Sequence, residues 1–300
     1  MLKSILTTCV LIMVIASTSL AQGPEKVSNE KLFGKDCYYL LEIPATPVIK
    51  GVLVLVPGFG EHPYSVTAQT SIVQEAIKKD LAVIMPGLSP KNDKFTITEE
   101  ATKRLGQMIA HFYAANKIDT SVPLFLGGFS IGGTTAIAYY THQQKVQGKG
   151  FLIPKKIFAI DPPLDLDRLY RSLSRLGEQG LTKEMESLKN TNEKLTDGLI
   201  RNSFYTPGMD FKQLPDYKNT ALRLYSEPDI LWWIKNRGID YSDINVVDEA
   251  GYVNRLLKKD KENQVELILT KDRGVRYGGQ RHPHAWSLAE PVELISWLLK

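Results

Sequence analysis

The sequence predicts an α/β protein: a mainly parallel central sheet flanked by helices and interrupted once by a helical insertion. Three observations carry this. Short unbroken apolar runs recur along the chain, segments with helical spacing separate them, and the alternation stops between Pro162 and Asn219 before resuming.

Taken in order, Cys37-Tyr38-Tyr39-Leu40-Leu41 reads as a strand around a buried thiol. Val48 to Val56 is a nearly continuous apolar run stopped by Pro57-Gly58, the pattern of a strand covered on both faces. Ser71 to Lys79 has helical spacing, and Leu81 to Met85 is a second buried strand ended by Pro86-Gly87. Thr96 to Ala115 follows as a helix, with Leu105, Met108, Ile109 and Phe112 on one face. Val122 to Leu126 and Lys156 to Ile160 are further strands, and Ile131 to Gln144 is the helix between them. Strands joined through helices imply right-handed crossovers and parallel pairing.

The segment 163–219 has no strand-like run, but Leu166, Leu169, Tyr170, Leu173 and Leu176 form one apolar stripe. It is expected to be a helical insertion, a cap or lid, within a core of residues 22–162 and 220–300. Strands return at Ala221–Tyr225 and Val265–Leu269, and a last helix runs from about Ala289 to Leu299.

Composition narrows the function. The 300 residues are 43% hydrophobic and 23% charged, which fits a globular chain with a large core. Lys and Arg exceed Asp and Glu by 37 − 33 = 4 with no long basic run, so nucleic acid is not an expected partner. Residues 1–21 have the tripartite order of a signal peptide: Lys3, an apolar stretch from Ile5 to Ala16, then Ser19-Leu20-Ala21. The apolar stretch is too short for a comfortable membrane span, so the expectation is a secreted or periplasmic protein without a stable membrane anchor. Cleavage near Ala21 leaves one cysteine, Cys37, and therefore no internal disulfide.

The chemistry centres on Gly128-Phe129-Ser130-Ile131-Gly132, a G-x-S-x-G pattern placed directly between an expected strand and an expected helix. Such a turn is so tight that glycine is needed two residues before and two after the serine. A serine hydroxyl needs a base, and the base needs an orienting acid. His282 and His284 lie between the last strand and the last helix, where the base belongs when the order is serine, acid, histidine. His62 comes too early for it, and His111 and His142 lie on expected helices.

With these residues in view, the chain resembles the α/β-hydrolase superfamily over most of its length apart from the insertion. The base in that superfamily commonly opens an H-x-x-x-x-x-x-P segment; His284 to Pro291 matches, and His282 is the alternative. The resemblance implies Asp229 as the acid, in Tyr225-Ser226-Glu227-Pro228-Asp229, with serine where the family usually has glycine. Glu227 and Asp161 are the competing carboxylates. Pro57-Gly58-Phe59-Gly60-Glu61-His62 is similar to the oxyanion loop of monoglyceride-lipase-like members, with Pro57 in place of histidine. That similarity implies the backbone N–H groups of Phe59 and Ile131 as oxyanion donors. The expected activity is a serine esterase acting on a small-molecule acyl substrate, with no cofactor and no metal site. A peptidase or amidase using the same triad, or a non-catalytic binding protein on this scaffold, is the alternative.

Overall fold

The protein is described from a computed structural model that covers residues 23–88, 95–146 and 151–300. The expected signal peptide, residues 1–21, lies outside the described residues. Strands in chain order are β1 (Glu25–Ser28), β2 (Tyr38–Glu42), β3 (Gly51–Val56), β4 (Leu81–Gly87), β5 (Leu124–Phe129), β6 (Lys156–Ile160), β7 (Ala221–Ser226) and β8 (Val265–Leu269). The helices are α1 (Glu30–Phe33), α2 (Pro63–Gln69), α3 (Ile72–Lys78), α4 (Glu99–Ala115), α5 (Ile131–Lys145) and α6 (Leu166–Arg175), then α7 (Gln179–Met185), α8 (Leu195–Asn202), α9 (Ile230–Arg237), α10 (Val246–Lys259) and α11 (Pro291–Leu299).

All eight of these strands form one sheet in the order β1-β2-β4-β3-β5-β6-β7-β8. β2 pairs antiparallel with both β1 and β4, and every pairing from β4 to β8 is parallel. Alternate side chains serve opposite faces. Val52, Val54 and Val56 of β3 pack beneath α4, α5 and α10, while Leu53 and Leu55 pack with α3 and α11. Both faces are covered, so these strands are apolar at every position.

From β3 the chain first builds β4 on one side and then crosses to build β5 on the other. The loops leaving β3 and β5 therefore diverge, and a crevice opens at the carboxyl ends of these two strands. Over it lies the segment between β6 and β7, which is helical as expected: α6, α7 and α8 with two short 3₁₀ turns and no strand. Leu166, Leu169, Tyr170 and Leu173 join Ile131, Phe95 and Ile97 in a third apolar cluster between these helices and the sheet, while Leu176 stays partly exposed.

Boundaries moved where a local bond or exposure decides them. The helix expected from Thr96 begins at Glu99, because Thr98 is its N-cap and accepts the Ala101 N–H at 3.2 Å. The run from Val48 enters the sheet only at Gly51, and Val48 itself is exposed. The strand expected to end at Leu126 continues to Phe129, up to the serine itself.

Candidate active site

Ser130 follows β5 directly and is the N-cap of α5, with φ 54° and ψ −128°. A non-glycine residue held there costs on the order of 1–3 kcal/mol of backbone strain. The surroundings leave no relaxed alternative. A Cβ on Gly132 would lie 2.1 Å from the Val56 carbonyl oxygen and 2.4 Å from that of Pro57, and one on Gly128 would lie 2.5 Å from the Gly132 carbonyl carbon. Backbone meets backbone on both sides of the serine, so side chains are excluded and the hydroxyl is pushed into the crevice. The Ser130 N–H donates to the Ile160 carbonyl at 2.8 Å, fixing the turn to the end of β6.

That bond also sets a carboxylate beside the serine. Phe129 and Ile160 are register partners, so the next residues, Ser130 and Asp161, leave adjacent strands side by side. Asp161 has φ 48° and is buried. Its N–H donates to the Tyr225 carbonyl at 2.7 Å, its carbonyl accepts from Asn245 Nδ2 at 3.0 Å, and its Oδ1 accepts from Ser226 Oγ at 3.0 Å. The remaining oxygen, Oδ2, accepts from His284 Nδ1 at 2.5 Å. A carboxylate only accepts, so the proton of a neutral His284 is on Nδ1 and Nε2 is left as an acceptor. The imidazole lies over the ring of Phe129, the residue before the serine, with centroids 4.4 Å apart. Ser130 Oγ and His284 are not hydrogen-bonded to each other here; such contacts often tighten only with substrate in place.

The expected acid Asp229 and the alternative Glu227 do not line this crevice, whereas the alternative base His282 does, without a hydrogen bond to Asp161. Asp229 caps α9, accepting the Trp232 N–H at 3.0 Å, and its other oxygen pairs with Arg281 at 2.8 Å. Glu227 is buried and ties down the following segment: Oε2 accepts from the N–H groups of Arg273 and Gly274, each at 2.9 Å, and from Thr270 Oγ1 at 3.1 Å, while Oε1 pairs with Arg281. Both carboxylates anchor the 270–281 loop that delivers the histidines. His282 packs against Trp232, ring centroids 4.6 Å apart, and its Nδ1 accepts the His284 backbone N–H at 3.1 Å. Burial, then the nearby charge of Arg276, depresses its pKa to about 3. It is neutral at ordinary pH and helps orient the backbone that carries the neighbouring imidazole.

The loop after β3 is held by Glu61, whose Oε2 accepts the Gly58 N–H at 2.8 Å and Trp286 Nε1 at 3.2 Å. Its Oε1 accepts from Gln69 Nε2 at 2.6 Å. These bonds do the supporting work expected of the histidine that Pro57 replaces, and Glu61 was not among the residues singled out from sequence. Phe59 and Ile131 both line the crevice, and the Ile131 N–H is in the first turn of α5, where amides lack intrahelical acceptors. Ser130, Asp161, His284, Phe59 and Ile131 share one cavity of about 1050 Å³.

One further group was not anticipated. Glu249, in the first turn of α10, is fully buried, and its oxygens make no hydrogen bond of good geometry among the described residues, although Asp161 and Ser226 lie close enough to interact with them. Burial, followed by the negative charge of Asp161, raises its pKa well above the usual carboxylate range.

Comparison with solved structures places this architecture. Carboxyl esterase 2 from the mycorrhizal fungus Tuber melanosporum superimposes with a TM-score of 0.59 at 14% identity, over 95% of this chain and 87% of that one. This chain has the α/β-hydrolase fold. A lipase/esterase from Lactobacillus plantarum gives a TM-score of 0.57 at 11% identity, over 92% and 96% of the two chains. An esterase from the bacterial hormone-sensitive lipase family gives 0.52 at 13%, over 92% and 82%. No family model and no curated protein sequence matches. Within the α/β-hydrolase fold, the strained Ser130 at the end of β5, Asp161 at the end of β6 and His284 after β8 all face the crevice at the carboxyl edge of the sheet.

Proposed function

We propose that the protein is a serine-dependent carboxylic-ester hydrolase in which Ser130 is the nucleophile, His284 the base and Asp161 the orienting acid. The observation that carries this reading is the 2.5 Å contact between His284 Nδ1 and Asp161 Oδ2, beside a serine held at a positive φ. The structural likeness to esterases and lipases points the same way.

In this reading, Ser130 Oγ attacks the ester carbonyl carbon as its proton passes to His284 Nε2. The oxyanion is held by the Phe59 and Ile131 N–H groups, and the dipole of α5 favours the same negative charge. Collapse expels the alcohol, which takes the proton from His284 and leaves an acyl-serine. Water, deprotonated by the same imidazole, then releases the acid and restores the serine. Asp161 stays ionised and stabilises the imidazolium. The helices α6, α7 and α8 act as a cap over the acyl pocket, and residues 1–21 direct export.

Hydrolysis of p-nitrophenyl butyrate, compared with butyryl and aminoacyl anilides, tests this. Ester turnover lost in Ser130→Ala supports the assignment; anilide cleavage in preference to esters makes the protein an amidase, and no turnover of either substrate overturns the enzymatic reading. Mass spectrometry of the exported protein should find an N-terminus near Gln22; an intact Met1 would contradict export with cleavage.

A further inference from the structure

The cavity over Ser130 is chemically uneven. Leu169, Leu173, Leu176 and Leu181 line it, and the first two pack with Phe59, Phe95 and Ile131 as an apolar wall contiguous with the oxyanion residues. Another part is lined by Lys235 and Arg237, from the last turn of α9, and by Arg276. Arg276 is fixed beside the base: its Nε donates to the His284 carbonyl at 3.1 Å. Its pKa is lowered by burial first and by the charge of Arg237 second, so the exposed Arg237 repels a partly buried guanidinium.

Most carboxylates around this region are committed to other partners, and Glu178, which also lines the cavity, is exposed to solvent. Glu227 and Asp229 pair with Arg281, Asp243 pairs with Arg175, and Glu61 is held by Gly58, Gln69 and Trp286. Among the described residues none of Lys235, Arg237 and Arg276 forms an ion pair, although Glu61 does exert some attraction on Arg276. A half-buried guanidinium close to another positive charge is unfavourable. An anion bound between them would relieve that cost, and guanidinium groups match the geometry of a carboxylate.

The reaction geometry says which half of the ester the anion belongs to. The carbonyl oxygen must face the Phe59 and Ile131 amides, which adjoin the leucine wall. The leaving oxygen must face His284, which adjoins Arg276. We propose that the site selects esters whose alcohol portion carries a carboxylate, bound by Arg276 and Arg237, while an apolar acyl chain lies along the leucine wall. This rests on the ester-hydrolase reading above and specifies its substrate class.

The test compares the butyrate esters of 3- and 4-hydroxybenzoate with those of the corresponding hydroxybenzamides, which match in size but lack the charge. The benzamides are the better leaving groups, so intrinsic reactivity biases the comparison against the proposal. At low ionic strength kcat/KM for at least one carboxylate ester should exceed that of its amide by about tenfold or more, mostly through KM. The ratio should shrink at ~0.5 M salt, where exposed charges are screened within a few ångströms, and it should collapse in both Arg276→Gln and Arg237→Gln. Arg237 lies at the exposed end of α9, so its variant remains informative if Arg276→Gln misfolds. Ratios within about twofold for both positional isomers would overturn the proposal while neutral-ester turnover upholds the parent reading; so would ratios unchanged in both variants. Loss of all ester turnover in the unmodified protein would remove both.

Discussion

Replacing Asp161 by Asn changes one oxygen for an NH₂ at the atom that accepts from His284 Nδ1. The amide can satisfy that nitrogen only by donating to it or by flipping its own oxygen toward it. Donation forces the imidazole into the tautomer with its proton on Nε2, where it cannot accept from Ser130. Loss of the carboxylate charge also leaves the imidazolium of the transition state uncompensated in a buried setting, since Asp161 is only 6% exposed. Together these are worth about 10⁴-fold in kcat in a serine hydrolase of this type, or about 5 kcal/mol at 1.36 kcal/mol per factor of ten. Asp229→Asn is the matched control. Asparagine caps a helix about as well as aspartate, and the lost pair with Arg281 is partly exposed, worth about 0.2–1 kcal/mol. The assay is kcat/KM for p-nitrophenyl butyrate at pH 8, with circular dichroism to confirm folding. A fall of about 10³–10⁵-fold in Asp161→Asn with a change below about threefold in Asp229→Asn is expected. A folded Asp161→Asn protein retaining a tenth of its activity, or the reverse ranking of the two variants, would refute the reasoning.

Three further outcomes follow from the same geometry. Gly132→Ala places a methyl 2.1 Å from a backbone oxygen, so thermal unfolding should show a loss larger than the roughly 1–3 kcal/mol of ordinary overpacking, or no folded protein at all; a shift of only a degree or two would contradict the packing. Glu249 has a folded pKa above its unfolded value, so its contribution is fully present below pH ~4.5 and is lost as pH rises toward the folded pKa. Glu249→Gln should therefore raise Tm at pH 8 and leave it nearly unchanged at pH 4; an equal shift at both would show that charge is not the cause. His282 has a folded pKa of about 3, below its unfolded value of about 6.5, so the stability it contributes is present above pH ~6.5 and lost as pH falls through that interval. Its ring protons should show no NMR titration between pH 5 and 8, and a midpoint near 6.5 would contradict its burial.

The turn at Ser130 was legible because its requirement is local. Gly128 and Gly132 stand where backbone meets backbone, and no distant residue is needed to recognise that. His284 was legible by its place between the last strand and the last helix. The acid was not. Asp161, Glu227 and Asp229 all follow strands, and what separates them is the order of strands in the sheet: β6 lies directly beside β5, so Asp161 emerges next to the serine. Arg281, more than fifty residues from Glu227 and Asp229 in sequence, draws both of those away, and a strand-end pattern carries no trace of such a partner. The parallel strands were readable from unbroken apolar runs. The short edge strand β1 was not, because its residues are mostly exposed and only Val27 reaches the core. Glu249 is the least legible of all: in the first turn of α10, after Asp248, a glutamate looks like an ordinary complement to the helix dipole, and only the fold buries it against Asp161.

The most direct measurement on the central assignment is intact-protein and peptide mass spectrometry after treatment with a fluorophosphonate. A single adduct on Ser130 is expected, absent in Ser130→Ala and formed far more slowly in His284→Ala and Asp161→Asn. An unlabelled protein, an adduct on another side chain, or labelling as fast without His284 as with it would contradict the assignment.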